Sequence, residues 1–169
     1  MDSNIVLIGL LGVGKSVVAT ELSRRLKRTL LSTDELIEKR EGMPIEQIFK
    51  QKGEEHFRRV KKEVVNEAAQ KERVIIDCGG GVVLQQENID RLKKNGILFF
   101  LAANPRVIYE RIKDQIHLRP LLQVKNPQMK ITQLLEERKH YYSQTDHTIE
   151  TSRHTVEQTV EAILKIIQP

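Results

Sequence analysis

Residues 9–16 read Gly-Leu-Leu-Gly-Val-Gly-Lys-Ser, and this motif is the strongest indication of the fold. It matches the pattern Gly-x-x-x-x-Gly-Lys-Ser/Thr, in which a glycine-rich turn curls its backbone N–H groups around phosphates. The apolar run Asn4–Ile8 before it predicts a buried parallel strand. Apolar residues at helical spacing over Lys15–Leu26 predict an amphipathic helix after it. A strand, a glycine turn and a helix in this order predict a nucleotide-binding loop.

The loop offers several kinds of contact to a nucleotide. The N-terminus of the helix adds a partial positive charge to the nest of N–H groups. Lys15 is expected to reach the β- and γ-phosphates, and the hydroxyl of Ser16 is expected to bind Mg²⁺. The residues predicted to bind nucleotide in this segment are Gly12, Val13, Gly14, Lys15, Ser16 and Val17.

Length and composition limit the possible classes of protein. The 169 residues, 39% of them hydrophobic, predict one globular domain over 1–169 rather than a disordered chain. No apolar run approaches the roughly 18 residues of a membrane span. The single cysteine, Cys78, and the lack of an evident signal segment predict a cytoplasmic protein. With no heptad seam in the sequence, a monomer is expected.

The net charge of +5, from 28 Lys and Arg against 23 Asp and Glu, leaves two kinds of partner open. A nucleic acid is one, and small anionic ligands are the other. The basic residues are dispersed through segments that are also rich in Glu, and the seven Phe and Tyr residues form no stacking motif. Small anionic ligands are therefore expected, and no nucleic acid.

Strand-like apolar runs alternate with helical segments along the rest of the chain. Further strands are predicted over 29–32, 73–78, 96–101 and 147–150. Further helices are predicted over 33–41, 44–50, 54–70, 86–95, from 104–105 onward, over 130–142 and over 155–167. Residues 114–128 have charges, two prolines and no period, which predicts a mobile loop. This alternation predicts an α/β fold with a parallel sheet, whose ligands gather beyond the carboxyl ends of the strands.

Two of those strand ends are followed by unusual residues. Asp34 comes after the second strand and opens a helix, where it is either a first-turn carboxylate or a site residue. The three glycines 79–81 come directly after the third strand. They form either a tight turn or a bare backbone whose N–H groups face a substrate.

Three arginines are candidates for binding an anion. Arg138 falls on the same helix face as Leu135 and Tyr142, so its guanidinium turns inward and needs a protein carboxylate or a bound anion. Arg119 lies in the predicted loop, where it either stays in water or closes over a transferring phosphoryl group. Arg58 is either a solvated side chain or a ligand of the substrate.

Taken together, the chain resembles the shikimate kinase family over essentially its whole length. The segments that show the resemblance are 9–16, 33–38, 53–58, 79–81, 119–122 and Arg138 ahead of Tyr142. The resemblance implies a three-layer P-loop kinase fold with a five-stranded parallel sheet flanked by helices. It also implies a substrate-binding helical region at about 33–62 and a lid at about 112–128. The implied reaction is transfer of the ATP γ-phosphoryl group to the 3-hydroxyl of shikimate, in aromatic amino acid biosynthesis.

The resemblance also implies roles for residues around the acceptor. Asp34 would bind the ring hydroxyls and act as the catalytic base. Arg58 and Arg138 would hold the shikimate carboxylate. Gly80 and Gly81 would line the ring.

On the nucleotide side, the implied ligands are ATP and Mg²⁺. Lys15 would hold the phosphates and take part in catalysis, and Ser16 would bind the metal. Arg119 would close over the phosphates from the lid as a further catalytic residue. Arg111 and Arg153 would lie near the adenine.

The sequence departs from the family pattern at two positions. Ser32 stands where the family usually has an acidic residue that organises water around the metal, and Asp77 is a candidate replacement. Lys61 stands where a Glu is common, so Arg58 is expected to find support elsewhere, from Glu55.

Two other functions remain open on the sequence. One is a kinase for another carboxylated polyol, such as gluconate, on the same fold. The other is a nucleotide-dependent switch, although the guanine-reading motif Asn/Thr-Lys-x-Asp is absent from the sequence.

Overall fold

The computed structural model describes residues 2–168. Its five strands are β1 (Asn4–Ile8), β2 (Leu30–Ser32), β3 (Ile75–Asp77), β4 (Gly96–Ala102) and β5 (His147–Glu150). They form one sheet in the order β2-β3-β1-β4-β5, and every neighbouring pair is parallel. The strands β2 and β3 lie on one side of β1, and β4 and β5 lie on the other. The strand order therefore reverses at β1, and a crevice opens at its carboxyl end.

Seven α-helices in the described part of the chain pack around the sheet. They are α1 (Lys15–Leu26), α2 (Thr33–Glu41), α3 (Ile45–Ala69), α4 (Gln86–Asn95), α5 (Pro105–Ile112), α6 (Pro127–Tyr142) and α7 (Val156–Ile167). Alternate residues of β1 face different layers: Leu7 packs in the cluster with α1, α5, α6 and α7, whereas Val6 packs in the cluster with α3 and α4. The predicted three-layer α/β fold with a five-stranded parallel sheet is therefore confirmed.

A third, smaller apolar cluster joins α2 to α3. It consists of Ile37, Ile48, Phe57, Val60 and Val64. This cluster fixes α3 beside the carboxyl end of β2, next to the residues that follow β3.

The structure confirms the predicted division of the segment 44–70 into two helical parts. The element α3 is interrupted at Gly53, whose φ of +83° and ψ of +168° are not helical, so two helices meet there at a kink. Ile48 before the kink and Phe57, Val60 and Val64 after it pack in one apolar cluster.

The segment predicted as a loop over 114–128 is more regular than expected. It contains two short 3₁₀ helices, Lys113–Leu118 and Pro120–Leu122, and α6 begins at Pro127 rather than at 130. Such turns have no 3.6-residue period and therefore gave no signal. Buried Leu122 anchors the segment to the core.

Among residues 2–168, none of the helices combines the length and apolar character that crossing a bilayer requires.

Candidate functional site

The loop between β1 and α1 adopts the backbone conformation that is expected from its glycines. Gly12 and Gly14 have φ values of +81° and +94°, which residues other than glycine rarely adopt. The buried ammonium of Lys15 donates hydrogen bonds to the carbonyl oxygens of Gly9 (2.7 Å) and Leu10 (3.2 Å). An ammonium has three donors, so one remains for a ligand of this loop.

A carboxylate stands beside the start of α1. The hydroxyl of Ser16 donates to Oδ2 of Asp77 over 2.7 Å, and Asp77 is the buried last residue of β3. Burial lowers the pKa of Lys15, and the negative charges of Asp77 and Asp34 oppose this effect. The sequence thus correctly indicated Asp77 as an acidic neighbour of the predicted metal ligand.

The hydroxyl and carboxylate oxygens of Ser16 and Asp77 are the hard ligands that Mg²⁺ prefers. Within residues 2–168, no group of three or more His, Cys, Asp or Glu side chains could hold a metal. Mg²⁺ typically uses one or two protein oxygens and completes its shell with phosphate oxygens and water. The residues present therefore fit a cation that binds together with a nucleotide.

Arg111 joins the phosphate loop to the segment after β5. Its guanidinium donates to the carbonyl oxygens of Val13 (3.3 Å), Gly12 (3.4 Å) and Thr151 (2.9 Å). The exposed Arg153 lies in the same segment, beside an open groove of about 560 Å³ next to β5. Arg111 thus braces the loop, and Arg153 lies at the edge where an adenine was expected.

Arg119 lies between the two 3₁₀ helices of the predicted lid. Its Nε is buried and has no hydrogen-bond partner in the described chain. Its charge is one of those that lower the pKa of Lys15, after the larger effect of burial. The fold thus brings Arg119 towards the phosphate loop with a donor left over, and an unpaired buried N–H favours binding of an acceptor atom.

Asp34 lies in the first turn of α2 but is not its cap. Ser32 is the N-cap and its side chain accepts a hydrogen bond from the N–H of Glu35. The Asp34 carboxylate packs so closely on Gly79 that a Cβ at that glycine would collide with it. The N–H of Gly79 donates to Oγ1 of Thr33 over 2.8 Å, which fixes the glycine turn against α2.

The pKa of Asp34 depends on the burial of its carboxyl group and on nearby charges. Burial raises the pKa of its carboxyl group, the ammonium groups of Lys61 and Lys15 oppose this rise, and Asp77 adds to it. A carboxylate with a raised pKa next to cationic groups is suited to accepting a proton.

Arg138 is turned inward, as its position on α6 predicted. It is 6% exposed, and its Nη1 donates to the carbonyl oxygen of Gly80 over 2.9 Å. No carboxylate pairs with it in the part of the chain from 2 to 168. Of the two partners that the sequence left open, a protein carboxylate is not found among residues 2–168, and the acceptor that the guanidinium contacts is the carbonyl oxygen of Gly80.

Arg58 lies differently from Arg138. Its side chain is 58% exposed and pairs with Oε1 of Glu54 over 2.6 Å. The expectation that Glu55 supports it is wrong, because the ion pair is with Glu54. Both residues lie one turn earlier on the helix, at four and three positions, so their spacing alone did not distinguish them. Arg58 therefore lies on the exposed side of α3.

Lys61 also lies beside the glycine turn, although the sequence did not indicate it as a candidate site residue. It is 9% exposed, and its Nζ lies 4.4 Å from the centroid of the Phe57 ring. A Cβ added to Gly81 would lie 2.8 Å from this Nζ. The available signal was its place four residues after Phe57 and three before Val64, on the apolar stripe of α3.

Comparison with known proteins agrees with this geometry. The family model described as shikimate kinase matches residues 11–168. A shikimate kinase of Thermodesulfovibrio yellowstonii is 44% identical over 162 residues, which are 96% of this chain and 93% of that protein. A shikimate kinase of Caldanaerobacter subterraneus is 41% identical over 162 residues, 96% of this chain and 94% of that protein.

Solved structures give the same result. The shikimate kinase of Acinetobacter baumannii in complex with shikimate has a TM-score of 0.91 and 34% identity, and the match covers 98% of this chain and 92% of that one. The shikimate kinase of Aquifex aeolicus has a TM-score of 0.85 and 38% identity, with 98% and 96% covered. On sequence and structure alike, this chain belongs to the shikimate kinase family.

Proposed function

We propose that this protein transfers the γ-phosphoryl group of ATP to the 3-hydroxyl of shikimate, giving shikimate 3-phosphate and ADP. One observation supports this most directly. Asp34, a candidate base, and Arg138, an inward guanidinium that pairs with no carboxylate of residues 2–168, lie at the same edge of the sheet as Lys15 of the phosphate loop. A carboxylated alcohol and a nucleotide could therefore meet there.

The donor half holds ATP through the phosphate loop. The loop N–H groups of residues 12–17 face the phosphates, and the remaining donor of Lys15 binds one of them. Ser16, supported by Asp77, holds Mg²⁺. When bound, this cation neutralises charge on the phosphates and helps to orient them. Arg111 and Arg153 border the adenine.

The acceptor half holds shikimate through its carboxylate. The guanidinium of Arg138 presents a planar fork that pairs with a carboxylate through two hydrogen bonds. Arg58 assists from the rim of the pocket. Gly80 and Gly81 line the ring with bare backbone, beside the cationic groups of Arg138 and Lys61.

The chemical step moves one proton and one phosphoryl group. Asp34 accepts the proton of the 3-hydroxyl while the oxygen forms a bond to the γ-phosphorus. The bond from that phosphorus to the bridging oxygen of ADP breaks, and ADP leaves with the electron pair. Lys15 and Arg119 stabilise the charge on the transferring group. Closure of residues 112–128 over the site excludes water.

Three further expectations belong to this proposal. Residues 33–62 form the acceptor-binding region of a single domain that spans 1–169. The protein acts as a monomer. It works in the cytoplasm.

The test measures ADP release from ATP and Mg²⁺ with and without shikimate, and identifies the product by phosphorus NMR. We expect ADP release that depends on shikimate and a phosphate ester at the 3-position. A panel with gluconate and other carboxylated polyols tests the acceptor. Turnover of another acid in place of shikimate would refute the acceptor, and ADP release that no acid stimulates would refute the reaction.

A further inference from the structure

Lys61 carries a buried amine on α3. Its side chain is 9% exposed, and no hydrogen bond or ion pair connects it to the rest of the described chain (2–168). Its neighbour Lys62 shows the usual arrangement, because it is 41% exposed and pairs with Glu87. Burial of an ammonium group is costly unless its donors find acceptors. The donors of Lys61 are therefore available to a ligand.

The position of this amine is next to the glycine turn. Nζ of Lys61 would lie 2.8 Å from a Cβ on Gly81, and Nη1 of Arg138 would lie 3.5 Å from a Cβ on Gly80. Two cations from different helices, α3 and α6, therefore stand against successive residues of one turn. The same turn lines the acceptor in the proposed function.

The charges around the turn do not balance. Burial lowers the pKa of Lys61, Asp34 opposes this effect, and the positive charges of Arg138 and Arg58 add to it. The carboxylate of Glu54 forms an ion pair with Arg58, and the negative charge of Asp34 also raises the pKa of Lys15. Three cations thus face two carboxylates, and an anionic ligand would relieve their mutual repulsion.

From this geometry we propose that Lys61 binds the carboxylate of the acceptor acid as a third cation beside Arg138 and Arg58. This inference rests on the proposed function, since it assigns a ligand atom to an acceptor that the function names. The competing explanation is that Lys61 only packs on the ring of Phe57. The two explanations differ in whether the charge of the ligand matters.

The first measurement compares Lys61→Met with wild type. Methionine keeps most of the aliphatic chain and can pack its thioether on the Phe57 ring, but it removes the ammonium group and its charge. We expect the KM for shikimate to rise roughly 10–100-fold, as for loss of a charged hydrogen bond, with the KM for ATP within about twofold of wild type. The control Lys62→Met removes an exposed charge one residue away and should leave both values unchanged.

The second measurement changes the ligand. Shikimate and its uncharged methyl ester are compared as acceptors for wild type and Lys61→Met. If Lys61 binds the carboxylate, the variant loses much more with shikimate than with the ester. Equal losses with both acceptors, or no loss with shikimate, would overturn the inference. Thermal unfolding of each variant reports on packing, and Lys61→Gln replaces Lys61→Met if the latter does not fold.

Wild type is assayed first, which separates the two proposals. Wild type that turns over shikimate, with Lys61→Met unchanged, overturns the inference alone. Wild type that does not turn over shikimate overturns the proposed function and this inference with it.

Discussion

The two halves of the site differ in how their polar groups are satisfied. In the donor half, Lys15 binds carbonyl oxygens of its own loop, Ser16 binds Asp77, and Arg111 binds the loop and Thr151. In the acceptor half, buried Arg138 and Lys61 have no ion pair within the described residues. The residues of the phosphate loop are bonded to their neighbours, with one donor left on Lys15 and one on Arg119, whereas the acceptor half retains two buried cations without an ion pair in the described chain.

The bonding of these polar groups indicates how each half of the site selects its ligand. A site whose groups already bind each other is rigid before a ligand arrives, so its loss of entropy on binding is small. A site with unpaired buried cations is destabilising until an anion neutralises it, and therefore selects for charge. Changes in the donor half should act on ATP and Mg²⁺, and changes in the acceptor half should act on shikimate.

The largest effect is expected where the halves meet. Asp34→Asn removes the proposed base, so kcat should fall about 10²–10⁴-fold, the usual contribution of general base catalysis. The measurement is shikimate-dependent ADP release at saturating substrates. Glu35→Gln, which changes the exposed neighbour of Asp34, is the matched control and should retain kcat. A loss in Asp34→Asn smaller than tenfold would exclude it as the base.

Arg138→Lys tests the acceptor half alone. Lysine keeps the charge but loses the planar fork, so the KM for shikimate should rise about 10–100-fold. The KM for ATP should stay within about twofold, because Arg138 makes no hydrogen bond to the phosphate loop. Steady-state kinetics with each substrate varied in turn measure both values, with exposed Lys139→Met as the control. Equal effects on the two substrates would show that the halves are not separate.

Asp77→Asn tests the donor half. The acceptor of the Ser16 hydroxyl loses its charge, so the Mg²⁺ concentration for half-maximal activity should rise about tenfold. The KM for shikimate should change little. A Mg²⁺ titration of the variant and of exposed Asp90→Asn checks this, and an unchanged titration would remove Asp77 from the metal site.

The smallest effect is a shift in the pH profile. Asp34 must be ionised to accept a proton, so kcat/KM for shikimate should fall as pH decreases through its pKa. Burial raises that pKa above the ordinary value of 3.8, with Lys61 and Lys15 opposing and Asp77 and Glu38 adding to the rise. The acid limb should therefore lie above pH 3.8, and Lys61→Met should move it higher. A limb at or below 3.8 would contradict the burial of Asp34, provided that circular dichroism shows a folded protein.

The regular elements near the phosphate loop were predictable from the sequence. The bounds of β1 and α1 agree with the prediction because an apolar run and a helical period define them over a few residues. The third strand was predicted over 73–78 but extends only over Ile75–Asp77. Arg73 adopts a φ of +57°, which a strand does not allow, and nothing in its residue type indicates this.

The acceptor side was predictable only in part. The inward position of Arg138 follows from its helix face, and burial confirms it. Arg58 and Lys61 lie on the same helix. The sequence favoured Arg58 as the site residue, whereas in the structure Arg58 is exposed and Lys61 is buried. The exposure of a charged residue near the edge of an apolar stripe depends on which element packs over it, and the stripe alone does not specify that element.

By itself, the sequence determined the phosphate loop, the α/β alternation and the side of the sheet where ligands bind, because these depend on contacts between residues close along the chain. Only the tertiary structure decided the acceptor half. Residues from α2, α3, α6 and the turn after β3 come together there, and the charge balance among Asp34, Lys61 and Arg138 exists only once those elements pack. Electrostatic interactions depend on distance in space and on burial, and neither is encoded in spacing along the chain.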